Sequence, residues 1–125
     1  VLETVEKHLY TSFGLRSLSP KDPDFQPMFT GDAWSRDHAY HQGTVWSFLW
    51  GEYAMAYLKV HEHSAAACNH IKIQSGTLEE HFYEEAGIQC ISEVFDGLEP
   101  NAGKGCIHQA WSVGMTLLAL LEAEK

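Results

Sequence analysis

The chain has 125 residues, of which 45% are hydrophobic, so it can bury one modest core but not two. Its 17 acidic residues against 8 basic ones give a formal charge of −9, which disfavours nucleic acid and anionic membranes as partners. The three cysteines (Cys68, Cys90 and Cys106) fit neither a disulfide framework nor a metal knuckle. We therefore expect a reducing compartment, the cytoplasm.

The first third of the chain is predicted to be a helix followed by a long loop. Apolar residues recur at helical spacing in Val1–Tyr10, and Gly14 is a plausible stop. Because the chain opens with Val1 inside this helix, we expect it to be a piece of a longer protein. Residues 11–41 hold three of the four prolines, and their aromatic side chains indicate an ordered loop, a type that is often functional.

Three longer helices are predicted in the rest of the chain. The first, Thr44–Glu62, is apolar around most of its circumference. The second, Ala65–Ala86, follows the capping residue Ser64 and is more amphipathic. After a second loop, Gly87–Gly105, the last helix is predicted over Cys106–Ala123 and is again apolar nearly all round.

The fold class expected from these helices is all-α. No segment alternates clearly enough to predict a strand, although Gly87–Phe95 comes nearest. A double ring, in which inner helices are enclosed by outer ones, explains the mixture of fully apolar and amphipathic helices. Four helices cannot close such a ring, so residues 1–125 are expected to form only part of a domain. No domain boundary is expected inside the chain.

Three segments carry polar and aromatic residues that neither helix nor turn formation requires. They are Gly14–Pro20, Arg36–Trp46, and Ile91–Gly97 together with Gly105–Ser112. Each lies at a junction between a loop and a helix. Their His, Gln, Asp, Arg and Tyr side chains offer planar or bidentate hydrogen bonds, which suit the neighbouring hydroxyls of a sugar.

Two tryptophans and two acids within these segments have more than one interpretation. Trp46 and Trp111 could present flat faces to a pyranose ring or could simply belong to the core. Glu93 and Asp96 could be solvated acids beside the Gly97 turn, or carboxylates at the rim of a cavity where one of them activates water.

A metal site is not expected from the histidines. His61 and His63 are two residues apart, which does not place both on one face of a helix. His41 and His108 have no partner at the spacing of a zinc-protease motif. The turn around His61 is better explained as a solvated connection between helices, and no cofactor is predicted.

Taken together, the three segments resemble the C-terminal region of bacterial and archaeal glycogen debranching enzymes, the amylo-α-1,6-glucosidase family. The similarity is carried, in order, by TSFGLRSLSP, RDHAYHQGTVW and ISEVFDG followed by GCIHQAWSVG. It extends from Thr11 nearly to the end of the chain. Ser47–Trp50 departs from the family, which commonly has a proline and further aromatic residues there, and this departure is expected to change the pocket wall but not the fold.

This resemblance implies an (α/α)6 barrel that hydrolyses α-1,6-linked glucosyl stubs at glycogen branch points with inversion. Such inversion needs two carboxyl groups, an acid and a base that holds water. Similarity to trehalase-like barrels makes Glu93 the candidate base, with Asp37 as its rival; Asp37 could also bind a hydroxyl or pair with Arg16. The acid is expected outside these 125 residues, so the piece alone is expected to be inactive.

The resemblance also implies which residues and molecules meet at the site. The expected partners are glycogen or a related α-glucan and the remainder of the barrel. The residues expected to bind the substrate are Arg16, Asp37, Tyr40, His41, Gln42, Trp46, Asp96, Gln109 and Trp111.

Two alternative functions remain open from the sequence. One is another (α/α)6 glycosidase, trehalase-like or glucoamylase-like, which the run YHQGTVW argues against. The other is a sugar-binding domain without catalytic activity. An upstream aspartate motif in the full gene would distinguish an enzyme from such a domain.

Overall fold

The computed structural model describes all 125 residues, which form six helices and five short strands. In chain order these are α1 (Leu2–His8), β1 (Tyr10–Thr11), β2 (Gly14–Arg16), α2 (Ala33–Tyr40), β3 (Val45–Trp46), α3 (Phe48–Val60), α4 (Ala65–Gln74), α5 (Gly76–Glu84), β4 (Val94–Phe95), β5 (Gly103–Lys104) and α6 (Ala110–Ala123). None of the helices combines the length and apolarity needed to cross a bilayer.

The prediction of an all-α fold, and with it of a segment of an (α/α)6 barrel, is wrong. The five strands form one antiparallel sheet in the order β1–β2–β3–β4–β5. In its register, Leu15 lies opposite Trp46, and Val45 lies opposite Phe95. Strands of two or three residues are too short to show an alternating pattern, so most of them could not be predicted from residue periodicity.

The helix predicted over Thr44–Glu62 begins later than expected, at Phe48. Val45 and Trp46 instead form β3, whose backbone groups pair with β2 on one side and with β4 on the other. Tertiary pairing therefore overrides the helical pattern at this end. From Phe48 to Val60 the chain is helical as predicted, but its buried residues lie on one face, and the opposite face, with Glu52, Ala56 and Lys59, is exposed.

Two other helix predictions and one loop prediction need correction. The helix predicted over Ala65–Ala86 is divided into α4 and α5 at Ser75, whose hydroxyl donates to the carbonyl of Lys72 at 2.9 Å. The last helix begins at Ala110 rather than at Cys106. The predicted first loop contains α2, whose N-cap Asp32 accepts a 2.8 Å hydrogen bond from a backbone amide.

The hydrophobic core lies where α3 packs on α4, α6 and the sheet. The backbones of α3 and α6 come into direct contact at Gly51. A Cβ atom at this position would lie 2.4 Å from the carbonyl oxygen of Met115, so only glycine fits. The opposite side of α6 is not covered within this chain, and Leu117, Leu118 and Leu121 are about half exposed.

We expect Gly51→Ala to lower the free energy of unfolding by about 1–3 kcal/mol, because the added methyl group forces two helix backbones apart. Urea unfolding would measure the change. Gly114→Ala is the matched control, since a Cβ atom at Gly114 of α6 would meet nothing within 4 Å. That variant should gain about 0.5–1 kcal/mol from helix propensity. Equal stability of the two variants would contradict the close approach at Gly51.

Candidate active site

The candidate site centres on the carboxylate of Glu93, which directly precedes β4. One of its oxygens, Oε1, accepts a short hydrogen bond from the hydroxyl of Tyr40. The other, Oε2, accepts from the backbone amide of Cys106 at 3.0 Å. Gly105 makes room for this arrangement, because a Cβ atom there would lie 2.6 Å from Oε2. Two donors, one on each oxygen, therefore fix the orientation of the carboxylate.

Tyr40 is the last residue of α2, and the strand that follows ties this residue to the sheet. Its carbonyl oxygen accepts from the hydroxyl of Thr44 at 2.8 Å and from the indole nitrogen of Trp46 at 3.0 Å. Burial, together with the hydrogen bond and negative charge of Glu93, raises the pKa of Tyr40 to about 12. The phenol therefore stays protonated, and donates to Glu93, throughout the neutral range.

The backbone at Ser92 and Glu93 is held by buried polar groups from several elements. The carbonyl of Ser92 accepts from the hydroxyl of Ser47 at 2.7 Å, and the hydroxyl of Ser112 lies 2.7 Å from that of Ser47. The amide of Glu93 donates to the carbonyl of Cys106 at 2.8 Å. Residues before α3 and on α6 thus fix the main chain from which the Glu93 side chain extends.

His81 holds the same segment from the other direction. It is 1% exposed, and its Nε2 accepts from the amide of Ser92 at 3.3 Å and lies 3.1 Å from that residue's hydroxyl. An amide can only donate, so Nε2 must be unprotonated. The ring proton therefore sits on Nδ1, which faces the carboxylate of Glu85 at 2.8 Å.

Aromatic rings form a wall beside Glu93. Trp46 lies parallel to the ring of His41 at a centroid distance of 5.4 Å and edge-on to Trp111 at 6.1 Å. Trp111 also stacks on Phe48 at 4.6 Å. Trp46 is 7% exposed whereas Trp111 is 46% exposed, so the first supports the wall and the second presents an open face.

Two of the residues predicted to bind substrate are already engaged with the protein. Asp96 is buried, and its carboxylate accepts from the amide of Phe29 at 2.8 Å and lies 3.8 Å from the ammonium group of Lys104. The guanidinium of Arg16 donates to the carbonyl of Gly97 at 2.7 Å and to that of a β1 residue at 3.2 Å. Arg16 therefore joins the sheet to the turn at Gly97 and does not pair with Asp37.

Three further predicted residues lie around the site without such partners. Asp37 is exposed on α2. Gln42 has a buried side-chain oxygen with no hydrogen-bond partner. Gln109 is the N-cap residue of α6, and its side chain does not bond to the helix. Asp37 and Gln109 are therefore available to a ligand in a way that Asp96 and Arg16 are not, whereas the oxygen of Gln42 is closed off from solvent.

Sequence reasoning missed the buried residues Ser47, His81, Ser92 and Ser112 that fix the main chain. Ser47 looked like part of a helix start, and His81 looked like a residue of an amphipathic helix. Their contacts join residues up to 65 positions apart, so no local pattern could have indicated them. No group of three or more His, Cys, Asp or Glu side chains is placed to hold a metal ion.

We expect His81→Leu to lower the free energy of unfolding by about 1–3 kcal/mol, because the amide of Ser92 is left buried without an acceptor. Amide hydrogen exchange at Ser92 and Glu93 should become faster than at other core amides. His81→Gln supplies an acceptor near the position of Nε2 and should recover most of both effects. Equal losses in the two variants would show that packing, and not the hydrogen bond, is what matters.

Comparison with known proteins gives a family for the chain. No curated protein matches it significantly. The family model described as amylo-alpha-1,6-glucosidase matches residues 1–118, which is nearly the whole chain. This match confirms the resemblance to glycogen debranching enzymes that the three motifs indicated. The chain therefore belongs to the amylo-alpha-1,6-glucosidase family, a family of glycoside hydrolases.

Proposed function

We propose that the protein hydrolyses the α-1,6-linked glucosyl stubs at branch points of glycogen or a related α-glucan, with inversion at the anomeric carbon and with Glu93 as the general base. The observation that carries this proposal is the carboxylate of Glu93, held on both oxygens by donors beside an aromatic wall. Membership of the amylo-alpha-1,6-glucosidase family supports the choice of bond.

The surroundings of Glu93 suit a base. A carboxylate has about four lone-pair sites, and Tyr40 and the Cys106 amide occupy only two of them. A free lone pair can therefore accept a proton from water. Because both neighbours are donors, they fix the orientation of the carboxylate toward the water that it deprotonates.

The aromatic wall suits a sugar ring. The half-exposed face of Trp111 is braced from behind by Phe48, so little freedom is lost when a pyranose packs on it. Among the polar residues at hand, His41 and Gln109 can bond to its hydroxyls. Asp96 and Arg16 act in this proposal by supporting the loops, because their polar atoms already bond to the protein.

The general acid is proposed to come from a part of the protein outside these 125 residues. An inverting mechanism places the two carboxyl groups about 6.5–9.5 Å apart, with substrate and water between them. Asp96 does not fit this role, since its carboxylate is buried between a backbone amide and Lys104. The isolated 125-residue piece should accordingly release no glucose.

In the full-length protein, Glu93→Gln should lower kcat for glucose release from a limit dextrin by about 10²–10⁴-fold. The KM should change little. The amide oxygen of glutamine can still accept from Cys106, and its NH₂ group can donate to the hydroxyl of Tyr40, so the geometry survives while the proton acceptor is lost.

Asp37→Asn is the matched comparison, because it also removes one carboxylate charge near the site. It should lower kcat far less than Glu93→Gln. A dead Asp37→Asn variant beside a nearly normal Glu93→Gln variant would move the role of base to Asp37. Release of glucose from trehalose but not from limit dextrin would reject the proposed substrate.

A further inference from the structure

Trp34 on α2 is an exposed aromatic residue that the proposed site does not use. Its side chain is 71% exposed, although the apolar area of a tryptophan favours burial. One face of the ring stacks on His38, with the centroids 4.6 Å apart and the planes 24° from parallel. The rest of the ring faces solvent, so it offers a flat apolar surface to a ligand.

Helical spacing extends this platform into a stripe. His38 follows Trp34 by four residues, which places both rings on one side of α2, and His41 is the C-cap residue directly after the helix. Asp37 lies on the same side, three residues after Trp34, and its carboxylate is exposed. We refer to Trp34, Asp37, His38 and His41 as the α2 stripe. It is about 10 Å long, so it suits an elongated ligand.

The α2 stripe is continuous with the site around Glu93. Its last ring, His41, lies parallel to Trp46 at 5.4 Å and packs edge-on against Tyr40 at 4.9 Å. A ligand lying along the stripe would therefore reach the carboxylate that the hydroxyl of Tyr40 holds.

The helix that carries the stripe is capped by its own residues at the start and joined to the candidate site at its end. At the start, Asp32 caps the amide of Ser35 at 2.8 Å, and the guanidinium of Arg36 donates to the carbonyl of Gly31 at 2.7 Å. At the end, Tyr40 bonds to Glu93. The stripe is thus ordered before any ligand arrives, which lowers the entropic cost of binding.

We propose that the α2 stripe is a binding subsite for the linear chain of an α-glucan, beyond the glucosyl unit that is cleaved; the assignment of the ligand rests on the proposed function. The ring of Trp34 packs on the C–H face of a glucosyl unit, as aromatic platforms do with flat apolar faces. Asp37 and His38 bond to its hydroxyls. An uncharged ligand also suits a chain of formal charge −9, which would repel acidic partners.

Calorimetric titration of the full-length protein with maltoheptaose, a linear α-glucan, tests this subsite without depending on hydrolysis. Trp34→Ala should weaken binding about three- to tenfold, and Trp34→Phe, which keeps a flat ring, should recover most of the loss. The KM for limit dextrin should rise in Trp34→Ala as well. Tyr83→Ala is the matched control, because Tyr83 on α5 is an aromatic residue of similar exposure, 63%, and should bind maltoheptaose normally.

The outcomes separate this subsite from the proposed reaction. Binding that depends on Trp34 in a protein that releases no glucose from limit dextrin would reject the reaction and retain the subsite. Two results would overturn the subsite: no binding of maltoheptaose by the unaltered protein, or equal affinity in Trp34→Ala and Tyr83→Ala. Circular dichroism of each variant checks that α2 and the remaining helices are intact.

Discussion

The antiparallel pairing of β3 with β4 joins two parts of the chain that lie about fifty residues apart. Val45 pairs with Phe95 and Trp46 pairs with Val94. Just outside this pairing, the hydroxyl of Tyr40 donates to the carboxylate of Glu93, and the hydroxyl of Ser47 donates to the carbonyl of Ser92. Because closing so long a loop is entropically costly, the contact needs the core behind it. The packing of α3 on α6 supplies that core.

Hydrogen bonds beside this pairing explain why the buried polar groups are tolerated. Hydroxyl and imidazole groups taken out of water are costly unless they are hydrogen-bonded. Here Ser47, Ser112 and His81 bond to one another or to the main chain at Ser92, so their burial is compensated. The result is a rigid backbone beneath an oriented carboxylate, which is what precise placement of a catalytic group requires.

The helices could be predicted from the sequence because their apolar residues recur locally, as in α3. The sheet could not, since Val45–Trp46 and Val94–Phe95 are two-residue strands whose identity depends on partners far along the chain. The division of the long predicted helix at Ser75 had only a weak local signal, because a single glycine such as Gly76 is tolerated inside a helical pattern.

The candidate site could be predicted only in part. Tyr40, Trp46, Glu93 and Trp111 stood out by residue type, and the structure brings them together. Asp96 stood out equally, yet its carboxylate bonds to the amide of Phe29. Residue type indicates what a side chain can do, whereas only the fold decides which of its polar atoms remain free for a ligand.

We propose that Glu93 activates water and does not attack the sugar itself. The most direct test is to identify which anomer of glucose the full-length protein first releases from limit dextrin. Proton NMR, recorded before mutarotation mixes the anomers, distinguishes the two. A base acting through water inverts the α-linkage, so the account predicts β-glucose. Initial release of α-glucose would show retention and would contradict the role given to Glu93.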